Sequence, residues 1–230
     1  MLSLLFLGFI IGMRHALEAD HFAAVASMTS KGLSTRQAIR HGVAWGLGHT
    51  ITLFLFGVSV LLIDQVIPVQ LAETLELIVG GMLILLGLDV LWRAYKNRIH
   101  YHLHKHGNED PHFHAHSHMG EDEHTKSEHQ HRHANEFPLR ALFVGLIHGM
   151  AGSAALILLT LDTVPTIGLG IAYIVLFGFG SIVGMGLLSM IISIPLRSCS
   201  RKLTWAHNSL QILIGLTTFG IGGNLVYRLL

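Results

Sequence analysis

The chain has 230 residues, 51% of them hydrophobic and 13% charged. Soluble domains carry about 25% charged residues, so an ordinary soluble domain is excluded. Cys199 is the one cysteine, which excludes an intrachain disulfide and a thiolate metal cluster, and a net charge of +1 gives no reason to expect a nucleic-acid partner.

A membrane span needs about 20 mostly apolar residues to cross a hydrocarbon core of about 30 Å. Six stretches meet that need, over residues 2–28, 37–63, 72–93, 138–161, 166–196 and 206–229. An all-α integral membrane protein with six transmembrane helices is therefore expected. The apolar start, Leu2 to Gly12, has no positive segment before it and an Arg-His-acid stretch after it. It is read as part of the first span and not as a cleaved leader.

The first span carries Arg14, His15, Glu18, Asp20 and His21. Ionisable groups inside a bilayer cost about 2.5–3.5 kcal/mol each on insertion scales, so each is a functional candidate. On an ideal helix His15, Glu18 and His21 form a ladder on one side. Asp20 joins them only if the helix unwinds, or if it acts from behind by accepting an imidazole N–H. Arg14 and Glu18 are spaced for a simple ion pair. His49 lies mid-span in the second stretch, after Gly46 and Gly48, and His148 lies mid-span in the fourth, before Gly149 and Gly152. His41 and His207 stand near span ends and read as interface residues.

Residues 97–136 form a polar, histidine-rich loop between the third and fourth spans. They hold His100, His102, His104, His106, His112, His114, His116, His118, His124, His129, His131 and His133, twelve of the eighteen histidines. Interleaved acids and few apolar residues predict disorder without metal. Imidazole is a good ligand for borderline metal ions, so the loop is expected to gather several of them weakly.

Lys and Arg set the expected orientation. Loops one, three and five hold thirteen of them, from Lys31 to Lys202, whereas the opposite side holds only Arg228. The positive-inside rule then places those loops in the cytoplasm and both termini outside a cell membrane. The two halves also resemble each other at a spacing of 132 to 135 residues. His15 matches His148, and Trp45-Gly-Leu-Gly48-His49 matches Phe177-Gly-Phe-Gly180-Ser181. Gly80, Gly87, Asp89 and Arg93 match Gly215, Gly222, Asn224 and Arg228. Three spans per half is an odd number, so the halves must be inverted, an architecture that recurs in transporters. The expected organisation is a three-helix repeat over 1–96, the loop over 97–136 and a second repeat over 137–230.

Arg14-His15-Ala-Leu-Glu18-Ala-Asp20-His21 resembles the His-x4-Asp-His signature of nickel/cobalt transporters, with Glu18 where Asp is commoner. Gly-Leu-Gly-His49-Thr and Ile-His148-Gly-Met-Ala-Gly-Ser resemble the short, six-span NicO/UreH-like branch. The resemblance implies a permease for Ni2+ or Co2+ in which His15, Asp20, His21 and His49 bind the ion in transit. It also implies a link to nickel-enzyme maturation proteins. Glu18 and His148 join the candidate ligands on their position. The metal is cargo, and no prosthetic group is expected.

Three other functions compete. Zn2+ suits the same donors, so a zinc carrier is one. A membrane-bound metal buffer or urease-maturation accessory is the second. An intramembrane metalloenzyme is the third; the His-Glu-x-x-His of zinc proteases is absent, and no enzyme is expected.

Overall fold

A bilayer offers the backbone no water, so every N–H and C=O in a span must be paired within the protein, and long apolar runs become helices. The computed structural model describes residues 2–30, 33–63, 68–96, 100–104, 112–116, 138–150, 166–202 and 204–230. The helices are α1 (Leu2–His15), α2 (Ala19–Thr29), α3 (Thr35–Ile63), α4 (Val69–Lys96), α5 (Leu139–His148), α6 (Ile167–Lys202) and α7 (Thr204–Leu229).

Four helices are long and apolar enough to cross a membrane unaided, over Thr35–Leu62, Val69–Lys96, Ile167–Leu196 and His207–Leu229. The first expected span, 2–28, is not continuous. It is the pair α1 and α2, bent by 56° where the helix breaks. The polar cluster lies at the break. The fourth expected span is described only in its first part: α5 has ten residues, about half a span, and 151–165 lie outside the described residues.

Two short strands are described within the polar loop. Strand β1 (His100–His104) pairs antiparallel with β2 (His112–His116), setting His100 opposite His116, His102 opposite His114, and His104 opposite His112. Histidine alternates there with Tyr101, Leu103, Phe113 and Ala115, the two-residue period of a strand. His106, His118, His124, His129, His131 and His133 lie outside the described residues.

Lipid tails are as apolar as leucine, so helices associate in a membrane by close packing, which favours small residues at the crossings. Helix α3 packs along α6, α4 along α7, α1 against α6, and α5 against α3. Gly12 of α1 abuts the Phe177 carbonyl of α6, and Gly145 of α5 abuts the Trp45 carbonyl of α3. Gly180 meets the Phe9 carbonyl and Gly48 the Leu142 carbonyl. On the α4–α7 seam Gly80 faces Gly222 and Gly87 faces Gly215. The outer surface is apolar: Leu85, Leu88 and Trp92 on α4, Ile191 on α6 and Leu213 on α7 are exposed. Such a surface suits lipid and not water. The interior is closed by Trp45, Tyr173, Phe177 and Met185, all fully buried.

Candidate metal centre

Helix α1 stops at His15 in a tight turn, where the Leu17 N–H donates to the Arg14 carbonyl and the Glu18 N–H to the His15 carbonyl. Glu18 is extended, with φ −62° and ψ 150°, and α2 starts at Ala19. Asp20 thus falls in the first turn of α2, where a helix N-terminus favours negative charge. The unwinding lets Asp20 and His21 face the same interior as His15. Of the two routes left open by the sequence for Asp20, the chain takes the unwound one.

Four histidines meet at this break, His15, His21, His49 and His148, each no more than 3% exposed. The His21 ring lies 4.3 Å from both the His15 and the His148 rings, centre to centre, and 5.1 Å from that of His49. Two donor groups result, His15/His21/His49 and Asp20/His21/His148, each with ligand atoms within 4.8 Å of one another. His21 belongs to both. Trp45 and Phe177 wall the cluster, their rings 5.4 Å from His21 and His15 respectively.

Asp20 organises the donors. Its Oδ1 is 3.0 Å from His21 Nδ1 and also accepts from the His21 backbone N–H at 2.9 Å. Its Oδ2 is 3.1 Å from His148 Nε2. An ionised carboxylate only accepts, so both of those nitrogens carry the proton. In neutral rings, His21 Nε2 and His148 Nδ1 then hold bare lone pairs. Neither atom has a hydrogen-bond partner, nor does His15 Nε2 or either ring nitrogen of His49. Buried polar atoms are nearly always paired, and each one that is not needs an explanation.

Glu18 sits at the rim, 45% exposed, with Oε1 2.9 Å from His15 Nδ1 but off the line of a hydrogen bond. It turns to His15 and not to Arg14. His41 bonds the Gln37 carbonyl through Nδ1 at 2.9 Å, and His207 accepts from Gln211 Nε2 at 3.0 Å. Neither reaches the cluster. The sequence places Trp45 in the repeat but not beside the site, although a signal was present: tryptophan prefers membrane interfaces, and this one is mid-span, four residues before His49.

The nickel-transport family NicO, described as "High-affinity nickel-transport protein", matches residues 1–218. The chain is 33% identical over 223 residues to the urease accessory protein UreH of Bacillus sp. (strain TB-90), covering 96% of this chain and 90% of that protein. It is 25% identical over 222 residues to the Arabidopsis thaliana "Chloroplast protein FOR GROWTH AND FERTILITY 1", covering 91% of this chain but 56% of the plant protein. A Methanocaldococcus jannaschii protein provisionally named a nickel/cobalt efflux system is 32% identical over 100 residues, 42% of this chain and 45% of that one. No solved structure matches. A family match over nearly the whole chain and a full-length relative at this identity place the chain in the NicO family of nickel-transport proteins.

Proposed function

We propose that this protein carries Ni2+ or Co2+ across a cell membrane through the buried centre built by His15, Asp20, His21, His49 and His148, with Glu18 at its mouth. The observation that carries the reading is the set of unpartnered lone pairs on buried imidazoles. A divalent transition ion would satisfy them, and nitrogen donors with one carboxylate suit nickel, cobalt and zinc over magnesium or calcium. The broken first span supports transport over storage, because carriers build ion sites where helices are discontinuous near the bilayer midplane.

Paired contacts support the 3+3 inverted repeat. Gly12 against Phe177 corresponds to Gly145 against Trp45, and Gly180 against Phe9 to Gly48 against Leu142. His15 and His148 each end a helix, α1 and α5. The histidine loop serves as a gathering surface, its described strands setting His100, His102 and His104 opposite His116, His114 and His112. The name of the Bacillus relative supports a maturation protein for a nickel enzyme as the partner that meets the ion.

The deciding experiment is flux of radiolabelled nickel and cobalt in sealed vesicles of known orientation, with and without a proton gradient. Saturable flux of either ion is expected. Flux of zinc alone would transfer the assignment to a zinc carrier, and binding without flux would make the protein a buffer. Orientation has its own test. In a Cys199→Ser background, Asp64→Cys should react with an impermeant thiol reagent from outside and Lys126→Cys should not. The reverse pattern would invert the topology.

A further inference from the structure

Asp89, near the C-terminal end of α4, holds two arginines. Its Oδ2 accepts from Arg93 Nη2 at 3.2 Å and from Arg140 Nη2 at 2.8 Å. Arg93 also reaches the C-terminal end of α2, where Nη1 donates to Ser30 Oγ at 3.3 Å and Nη2 to the Ser27 carbonyl at 3.5 Å. Arg140 stands in the first turn of α5. One carboxylate therefore ties together the far ends of α2 and α5. Their near ends bring Asp20 and His148 to 3.1 Å. The two helices have eleven and ten residues, so each is about 15 Å long. They are tied at both ends, by Asp20 and His148 at the metal centre and through Asp89 at the other.

Between them lies a cavity of about 50 Å3, walled by Ser27, His41, Asp89, Arg93, Arg140 and Ala141 among others. We propose that Asp89, Arg93 and Arg140 form an ionic latch that closes the passage between the metal centre and the Lys/Arg-rich face. This deepens the transport reading and rests on it. Two guanidinium groups against one carboxylate leave the closed passage positive, which repels a divalent cation at short range. The latch side chains are partly exposed, Arg140 59%, Asp89 33% and Arg93 21%. An ion pair so placed opens at small cost, as a gate requires and a structural core pair does not. The matching positions in the second half are Asn224 and Arg228, which supply no carboxylate, so the repeat does not carry the Asp89 pair over to that half.

Thiol access tests it in the full-length protein with Cys199→Ser. Ser27→Cys, buried in the cavity wall, is to be labelled with a charged, impermeant maleimide in sealed vesicles that expose the Lys/Arg-rich face. Ser193→Cys is the control, buried in α6 and no part of that wall. Asp89→Asn should speed labelling at Ser27→Cys about tenfold or more, since removing one partner of a charge pair frees the others, and should leave Ser193→Cys slow. The swap Asp89→Arg with Arg140→Asp should return labelling toward the parent rate. If Asp89→Asn does not insert, Arg140→Gln opens the latch from its exposed side and should have the same effect. An unchanged rate at Ser27→Cys, or a parallel rise at Ser193→Cys, would overturn the latch. The readout is a thiol reaction and not ion flux, so its failure is separate from a failure of the transport reading.

Discussion

His21→Ala is expected to abolish saturable nickel and cobalt flux while the protein still inserts. His21 is the one residue common to both donor groups, so its loss breaks each of them. Insertion survives because removing a polar group from a span lowers its insertion cost. His49→Ala and His148→Ala each leave one group whole and should be milder, lowering flux without abolishing it. Asp20→Asn belongs with them: the amide can donate where the carboxylate only accepts, so the tautomers of His21 and His148 are no longer fixed. His207→Ala serves as the neutral control. Initial rates per inserted protein in proteoliposomes give the comparison. Normal nickel and cobalt flux in His21→Ala would remove the centre from the transport path.

Gly145→Ala should be among the most damaging single methyl additions at the described glycines, with Gly12→Ala, Gly48→Ala and Gly180→Ala. The added carbon would meet the Trp45 carbonyl and come within 3.0 Å of the His49 backbone nitrogen. Both neighbours are backbone, so no side chain can turn away, and α5 must leave α3. Overpacking of this kind costs about 1–3 kcal/mol even where side chains can yield; here the upper end or more is expected. The displacement also withdraws His148 from Asp20. Gly81→Ala provides the contrast. Nothing lies within 4 Å of that site, and alanine in a helix gains up to about 1 kcal/mol over glycine. Thermal unfolding of the detergent-purified variants should show a large loss for the first and none for the second. Equal stability of the two would contradict the close helix contact.

The membrane class and the spans over 37–63, 72–93, 166–196 and 206–229 were legible because hydropathy is a sum over many residues and tolerates local exceptions. The bend in the first span was not. Ala16, Leu17 and Glu18 are all good helix formers, and propensity gives no reason to unwind there; the reason is tertiary, the convergence of Asp20 and His21 on His148 and His49. That His15, Asp20, His21 and His49 are candidates was legible from density and resemblance. His148 rested on the repeat alone; its Nε2 lies 3.1 Å from Asp20, which brings it into the same candidate cluster. The tie between Asp89 and Arg140 spans 51 residues, including the whole histidine loop, and no local pattern announces a pair so far apart. The strict alternation of His100–His104 carries the two-residue period of strand β1.

The sharing of His21 has a kinetic consequence. An ion held by His15, His21 and His49 takes a ligand away from Asp20 and His148, and the reverse holds equally. On the proposed transport reading the two positions would compete for one imidazole, so occupancy would be exclusive and the ion would advance by exchanging partners around a ring that stays in place. Transport would then proceed one ion at a time, its dependence on concentration would be hyperbolic, and two ions arriving from opposite sides could not pass each other.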